Sequence, residues 1–356
     1  MKIFQTIFAY SSFAKQFNLK AKEKGVKSFA GLQALLETTG YCYPHILKPL
    51  EADQIFLHSP ELATLSDAWK TKYGMKQKTN PDEILLSQIE EQKADIVYFQ
   101  NPARFDTNFL KKMPTSVQHK LCWSSSHIPA EKLVGYDCVL TSFEDYATYL
   151  TKRGINTKLA FPSVASPKSY KKSISLRDGQ FVFSGGWSRR HRSRNKTLEI
   201  FAEKHSDRLS LLLDTSNRFS WLQKINLSIN PFFVPSICRQ MNLGAKFGFE
   251  MIEELSKHRF VFNQAIDIAP LDRGNIRCFE ALTAGSLLIS DNGKYPPGFE
   301  DGENYLAYAN IDDLFQLIKK IITEPEAYEH IADSGRSMVT DTYSKKRQYQ
   351  NFLSAL

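Results

Sequence analysis

The sequence predicts an α/β protein of two domains, each a parallel sheet wrapped by helices. Three observations carry that expectation. The 356 residues suit two domains of about 150–180 residues better than one. Short apolar runs alternate with amphipathic segments along both halves, as strands and crossover helices do. Between the halves, residues 161–178 (FPSVASPKSYKKSISLRD) hold two prolines, five serines and several lysines with no hydrophobic period, which is linker composition. The expected boundaries are 1–165 for the first domain, 166–179 for a linker, 180–340 for the second domain and 341–356 for a closing helix.

The elements follow in order. Lys2–Tyr10 reads as the first strand, and Phe13, Phe17 and Ala21 mark a helix that stops at Gly25. Phe29, Leu32, Leu35 and Leu36 form a second helical stripe. Ile84, Leu85 and Ile89 give a helix over 82–92, with a buried strand at 95–99 behind it. Short strands are expected around Leu121-Cys122 and Val139-Leu140, and a helix through Phe143, Tyr146 and Leu150. Residues 51–80 break this rhythm and read as an insertion or helical excursion. The second half begins with the strand Phe181-Val-Phe, then a helix from Arg194 to Lys204 and the strand Leu209–Leu213. A helix over 248–257, the strand Phe260-Val-Phe and a helix through Leu314, Leu317, Ile318 and Ile321 follow. Tyr349, Phe352, Leu353 and Leu356 make a last apolar stripe.

Composition narrows the functional classes. A hydrophobic fraction of 42% and an aromatic fraction of 12% supply two cores and exclude a disordered chain. The net charge of +8 permits an anionic partner: nucleotide phosphate, acidic glycan or anionic lipid headgroup. No nucleic-acid motif accompanies the charge, so nucleic acid is not an expected partner. Five scattered cysteines (Cys42, Cys122, Cys138, Cys238, Cys278) lack CxxC spacing and read as reduced thiols of a cytoplasmic protein. The opening MKIFQTIFAYSSF has too short an apolar run for a signal peptide. No segment approaches the ~18 apolar residues of a membrane span, so membrane contact would be peripheral, at the inner face.

The most informative stretch is Ala269–Asp291, APLDRGNIRCFEALTAGSLLISD. It reads as loop, helix start, helix, small-residue turn and buried strand. A loop feeding a helix N-terminus presents unpaired amides and a positive dipole end, which suits phosphate around Gly274 and Asn275. Arg277 and Glu280 are three residues apart and share a helix face. A pyrophosphate at the helix start and a ribose diol against the carboxylate would use both features.

The stretch resembles the nucleotide-binding signature of GT-B glycosyltransferases of the GT4-like kind: an acidic residue, seven residues, then Glu followed by small residues and a buried strand. Asp272 stands where that family usually has Glu, and Glu280 is the second acid. Asn275, Arg277, Phe279, Glu280, Ala281 and Gly285 are most similar to the N-x-R-x-F-E-A-x-A-x-G of the CgeB-like branch. His191-x-x-Arg194 with Leu198 resembles its H-x-x-R-x-x-x-L. The resemblance implies two Rossmann-like domains facing across a cleft, the first on the acceptor side and the second binding a nucleotide sugar. It implies a last helix that crosses back to the first domain. The implied activity is transfer of a sugar from a nucleotide diphosphate donor, UDP or GDP, to a glycan, lipid-linked or protein acceptor. Retention at the anomeric carbon, no metal and no cofactor complete the expectation.

Site residues follow from both readings. Ser184-Gly-Gly-Trp-Ser-Arg-Arg-His-Arg-Ser-Arg directly follows a strand, so Gly185 and Gly186 allow close backbone approach while Arg189, Arg190 and Arg194 offer bidentate phosphate donors. Asn263, at a strand end, is placed near the nucleotide base. His127, in a Ser-rich strand-end loop of the first domain, suits a general base by its ordinary pKa. Asp272 is expected at the donor sugar. No histidine cluster has metal spacing. The basic loop has no GxGxxG or P-loop pattern, which removes the usual support for NAD or ATP hydrolysis. A nucleotide-sugar epimerase and a non-catalytic glycan- or coat-binding scaffold remain as alternatives.

Overall fold

The structure, a computed structural model, describes residues 1–47, 54–124, 126, 128–188, 191–215, 224–225, 233–265 and 271–356. The chain divides into two compact units, Met1–Phe161 with Lys345–Leu356, and Pro162–Ser344.

In the first unit the elements run β1 (Lys2–Thr6), α1 (Ser11–Glu23), α2 (Phe29–Thr39), β2 (Gln54–His58), α3 (Ala63–Lys72), α4 (Pro81–Gln92), β3 (Ile96–Phe99), α5 (Thr107–Leu110), β4 (His119–Trp123), β5 (Cys138–Thr141), α6 (Glu144–Thr151) and β6 (Thr157–Leu159). The second unit holds β7 (Gly179–Gly186), α7 (Arg192–Lys204), β8 (Leu209–Asp214), α8 (Ser236–Gln240), α9 (Gly248–Leu255), β9 (His258–Phe262), α10 (Ile276–Thr283), β10 (Leu287–Asp291), β11 (Leu306–Tyr308), α11 (Ile311–Thr323) and α12 (Glu329–Thr342). A last helix, α13 (Lys345–Leu353), returns to the first unit.

Local signals explain several boundaries. Ser28 caps α2 by accepting from Gly31 N–H, and Gly40 ends that helix in the left-handed region. Asn80, Pro81 and Glu83 form a capping box with proline in the first turn of α4.

The first sheet has the order β2-β1-β3-β4-β5-β6, all parallel. Of the stretch expected as an insertion or helical excursion, residues 54–80 supply the edge strand β2 as well as helix α3, whose Trp69 is buried against Phe29 and Phe56. One face of the sheet (Ile3, Ile96, Tyr98, Leu121, Trp123, Leu140) packs on Phe352 of α13, with the Tyr98 and Phe352 rings 5.0 Å apart. The α13 backbone is anchored by Lys345 Nζ, which donates to Tyr43 O and to Ile46 O, and by Gln348 Nε2, which donates to Pro44 O.

The second sheet has the order β11-β10-β9-β7-β8, also parallel. Phe181, Phe183, Phe260, Phe262, Leu287 and Ile289 line one face against α7 and α11, while Val182, Val261 and Leu288 are buried on the other. Burial on both faces explains why these strands read as unbroken apolar runs. Because all five strands are parallel, their carboxyl ends leave the sheet on one edge.

The segment expected as a linker is fastened to the second unit. Ala165 N donates to Thr283 Oγ1, Ile174 is wholly buried, and Glu329 accepts from Ser173 Oγ and Ile174 N. Arg177, 2% exposed, donates to Lys172 O, His258 O, Ser286 Oγ, Ala284 O and Gly285 O. Its low hydrophobicity hid this, because polar bonds hold the strap alongside the buried Ile174. Arg177→Met should leave several buried carbonyls unpaired and cost the second unit about 3 kcal/mol in urea unfolding. A loss below about 0.5 kcal/mol would remove the guanidinium from its role as clasp.

Candidate functional site

The site is built on the strand-end edge of the second sheet. Gly185 and Gly186, expected in the loop beyond β7, are its last two residues and pair with Leu213 and Asp214 of β8. Arg277 of α10 lies across them, its Nε donating to Ser184 O at 2.5 Å. A Cβ on Gly185 would stand 3.2 Å from the Arg277 guanidinium carbon and 3.1 Å from the Phe183 ring. Glycine at 185 thus lets the arginine lie flat on the strand end. The Phe183 ring carries two guanidinium groups, Arg277 at 5.7 Å and Arg194 at 5.6 Å.

The two arginines differ in what they can still do. Arg194 is 1% exposed and its Nη2 donates to Gly186 O at 2.5 Å, so it braces the end of β7 from within. Arg277 is half-buried, and its buried Nη1 has no hydrogen-bond partner among the described residues. Arg277, the more exposed of the two, presents that Nη1 donor to an anion.

The start of α10 is fixed by a chain of amides. Asn275 caps the helix by accepting from Arg277 N at 3.1 Å, and its Nδ2 donates to Asn263 Oδ1 at 3.2 Å. Asn263 Nδ2 in turn donates to Ser290 Oγ at 2.8 Å. Asn263 is 1% exposed with both ends of its amide engaged inside the unit. Expected at a nucleotide base, this side chain is instead a strut between β9, β10 and α10. Gly274 has φ +79°, and a Cβ there would come within 2.3 Å of the Pro296 ring, so position 274 requires glycine twice over. Asp272, buried, forms an isolated β-bridge with Lys294, closed by Arg273 N to Lys294 O at 2.7 Å and Lys294 N to Leu271 O at 2.9 Å.

Glu280 sits one turn into α10, 7% exposed, and no described residue donates a hydrogen bond or ion pair to its carboxylate. Burial pushes its pKa up to about 7, with the positive charge of Arg277 pulling the other way. The two side chains share a helix face without closing an ion pair on each other.

Beside this row lies a cavity of about 470 Å³, lined by Ser193, Gln264, Arg273, Asp291, Asn292 and Tyr308 among others. Arg273 Nε meets Asp291 Oδ2 at 2.9 Å, and Gln264 Oε1 is buried without a partner. Sequence reasoning passed over Arg273 and Asp291; the signal available was an Arg inside the signature and an Asp at the end of the strand after it. His127, Arg189 and Arg190 lie outside the described residues. The five cysteines are all free thiols, and no group that could hold a metal occurs among the described residues. No described helix is long and apolar enough to cross a membrane.

Residues 220–354, which include the whole Asp272–Gly285 row, match the family model "Glycosyl transferase-like". That part of the chain is similar to glycosyl transferase-like proteins. The chain's architecture is similar to that of solved GT-B proteins. Anabaena Alr3699/HepE, solved in complex with UDP-glucose, superposes with a TM-score of 0.57 at 14% identity over 100% of both chains. A glycosyltransferase from Rickettsia africae gives 0.57 at 12% identity, covering 99% of this chain and 97% of that one. Sucrose-phosphate synthase from Thermosynechococcus elongatus gives 0.57 at 12% identity, covering 99% and 98%. At such identities the superpositions speak for the fold alone. No curated protein sequence matches the chain.

The raised carboxyl at Glu280 has a consequence for stability. A folded pKa near 7 above an ordinary 4.5 means a contribution that is whole below pH 4.5 and lost as pH rises through 7. Glu280→Gln removes the titration, so the variant should gain on the parent by roughly 2–3 kcal/mol between pH 5 and pH 8 in denaturant unfolding. A pH-independent difference would show that the carboxyl is not held neutral by its surroundings.

Proposed function

We propose that the chain moves a sugar from a nucleoside diphosphate donor, a uridine donor in the first place, to an acceptor, and that the row from Gly185 to Glu280 holds the donor. The observation that carries this reading is the buried, unpartnered Glu280 carboxylate beside the unpaired edge of Arg277. Burying a carboxylate without a donor is costly, and a ribose diol supplies two hydroxyl donors. Arg277 Nη1 and the first-turn amides of α10 take the diphosphate, with Gly185 and Gly186 allowing the phosphates to approach the backbone. The 470 Å³ cavity has room for the base, with Gln264 Oε1 as acceptor. Asp272 faces the donor sugar, and Arg194 serves by holding Gly186 in place. UDP and glucose in the Anabaena HepE structures support a uridine donor on the same fold.

In the transfer step, charge develops on the leaving diphosphate as the anomeric bond breaks. Arg277 and the α10 dipole stabilise that charge, so the proposal requires no divalent ion. Retention follows if the leaving phosphate accepts the acceptor's proton on the face it has just vacated. His127, Arg189 and Arg190 keep their proposed places as base and phosphate donors.

The test is a thermal-shift titration with UDP, GDP and ADP. UDP at about 100 times its dissociation constant should stabilise the fold by ~2.7 kcal/mol, and Glu280→Ala should abolish that shift while remaining folded. Normal UDP binding by Glu280→Ala would displace the site. Gly185→Val should weaken UDP by about tenfold or more, because the new side chain takes the space of the Arg277 guanidinium; unchanged affinity would detach Arg277 from the diphosphate.

A further inference from the structure

We propose that the loop after β1 in the first unit is a sugar-stacking platform made by Phe8 and Tyr10, and that the acceptor is therefore a carbohydrate. The word acceptor rests on the transferase reading; the platform rests on the geometry of the first unit alone. Strand β1 is flanked by β2 on one side and β3 on the other, with Ile3 opposite both Ile55 and Ile96. The chain thus diverges at the carboxyl end of β1, the position where open parallel sheets form a crevice.

Phe8 is 38% exposed and Tyr10 54% exposed, and their rings meet edge to face at 5.4 Å. Exposure of this kind is common in loose loops, but this loop is held at three successive residues. Tyr41 Oη donates to Phe8 O at 3.0 Å and accepts from Tyr10 N at 3.1 Å. Tyr41 itself is 4% exposed and stacks on Phe13 at 3.7 Å. Between the two aromatics, Ala9 is buried and its N donates to Glu61 Oε2 at 3.3 Å. The fold spends a buried tyrosine and a carboxylate on keeping two aromatic rings in water.

Polar groups adjoin them. Glu61 also accepts from Ser59 Oγ and pairs through Oε1 with Arg104 Nη1 at 3.1 Å; Arg104 Nη2 reaches Asp82 Oδ1 at 3.4 Å. All three charged side chains are partly exposed. A pyranose has an apolar C–H face for an aromatic ring and a rim of hydroxyls for carboxylate and guanidinium groups. A lipid chain would find two rings bordered by three charges, and no continuous apolar groove. The chemistry therefore fits an oligosaccharide.

The test uses the full chain with UDP present on an array of glucan, chitin, galactan and uronic-acid oligosaccharides. At least one class should be retained, weakened about tenfold or more by Tyr10→Ala and restored to within about twofold by Tyr10→Phe, which keeps the ring. Phe8→Ala should weaken the same class, and UDP thermal shifts should be unchanged in every variant. Retention of no saccharide, or equal retention by Tyr10→Ala, overturns the platform. Absence of a UDP shift in the parent chain would strike the nucleotide reading instead, leaving the array to judge the platform.

Discussion

The hydrogen-bond chain from Asn275 through Asn263 to Ser290 fixes where α10 begins relative to the ends of β9 and β10. Everything else at the site is measured from that origin. With Asn275 as cap, Arg277 falls on the side of the helix that lies over Ser184 and Gly185, and Glu280 follows one turn behind it. Moving the cap by one residue would rotate both side chains by about 100°, taking Arg277 off the strand end and Glu280 off its face. The chain uses neutral amides, which satisfy one another and leave no charge competing with a bound anion.

Buried charge separates structure from function in this protein. Arg177 has five acceptors around it, and Lys345, whose pKa burial drives well down, has the carbonyls of Tyr43 and Ile46 and the Gln348 side chain. Those two charges are solvated by the protein itself, and each fastens a segment without regular secondary structure nearby. Glu280, 7% exposed, is given no donor among the described residues. The chain can satisfy a buried charge when the role is structural, and under the proposed function the donor that Glu280 lacks among the described residues arrives with the ligand.

The sequence made much of this legible through period and signature. Helices such as α1, α2 and α10 showed their apolar faces, and β3, β7 and β10 their continuous runs, because a two-sided buried parallel sheet writes itself in that form. The segment Gly274 to Glu280 was read at its true helix position from a loop feeding a helix start and one i,i+3 pair. Three things were hidden. Strand β2 was missed because Ile55-Phe56-Leu57 is short and sits at a sheet edge between polar stretches. The strap around Arg177 was missed because its bonds run to backbone carbonyls far along the chain, which no local pattern announces. Asn263 and Arg194 were given to the ligand because polarity after a strand does not say which way a side chain turns.

The aspartate at 272 can be weighed in the same physical terms. Its backbone is pinned on both flanks: the bridge to Lys294 holds residues 271–273, the Arg273–Asp291 ion pair holds the next side chain, and Pro296 leaves no room to shift Gly274. A loop fixed at that many points cannot advance to compensate for a shorter side chain. Compared with the glutamate usual in the resembling signature, the carboxylate reaches less far by about one C–C bond, some 1.5 Å. That length exceeds the tolerance of a hydrogen bond, which weakens steeply beyond its normal range. Under the proposed function, the hydroxyl that Asp272 serves must therefore sit nearer the loop, and the position of that hydroxyl on the donor sugar is where this chain parts from proteins that carry glutamate there.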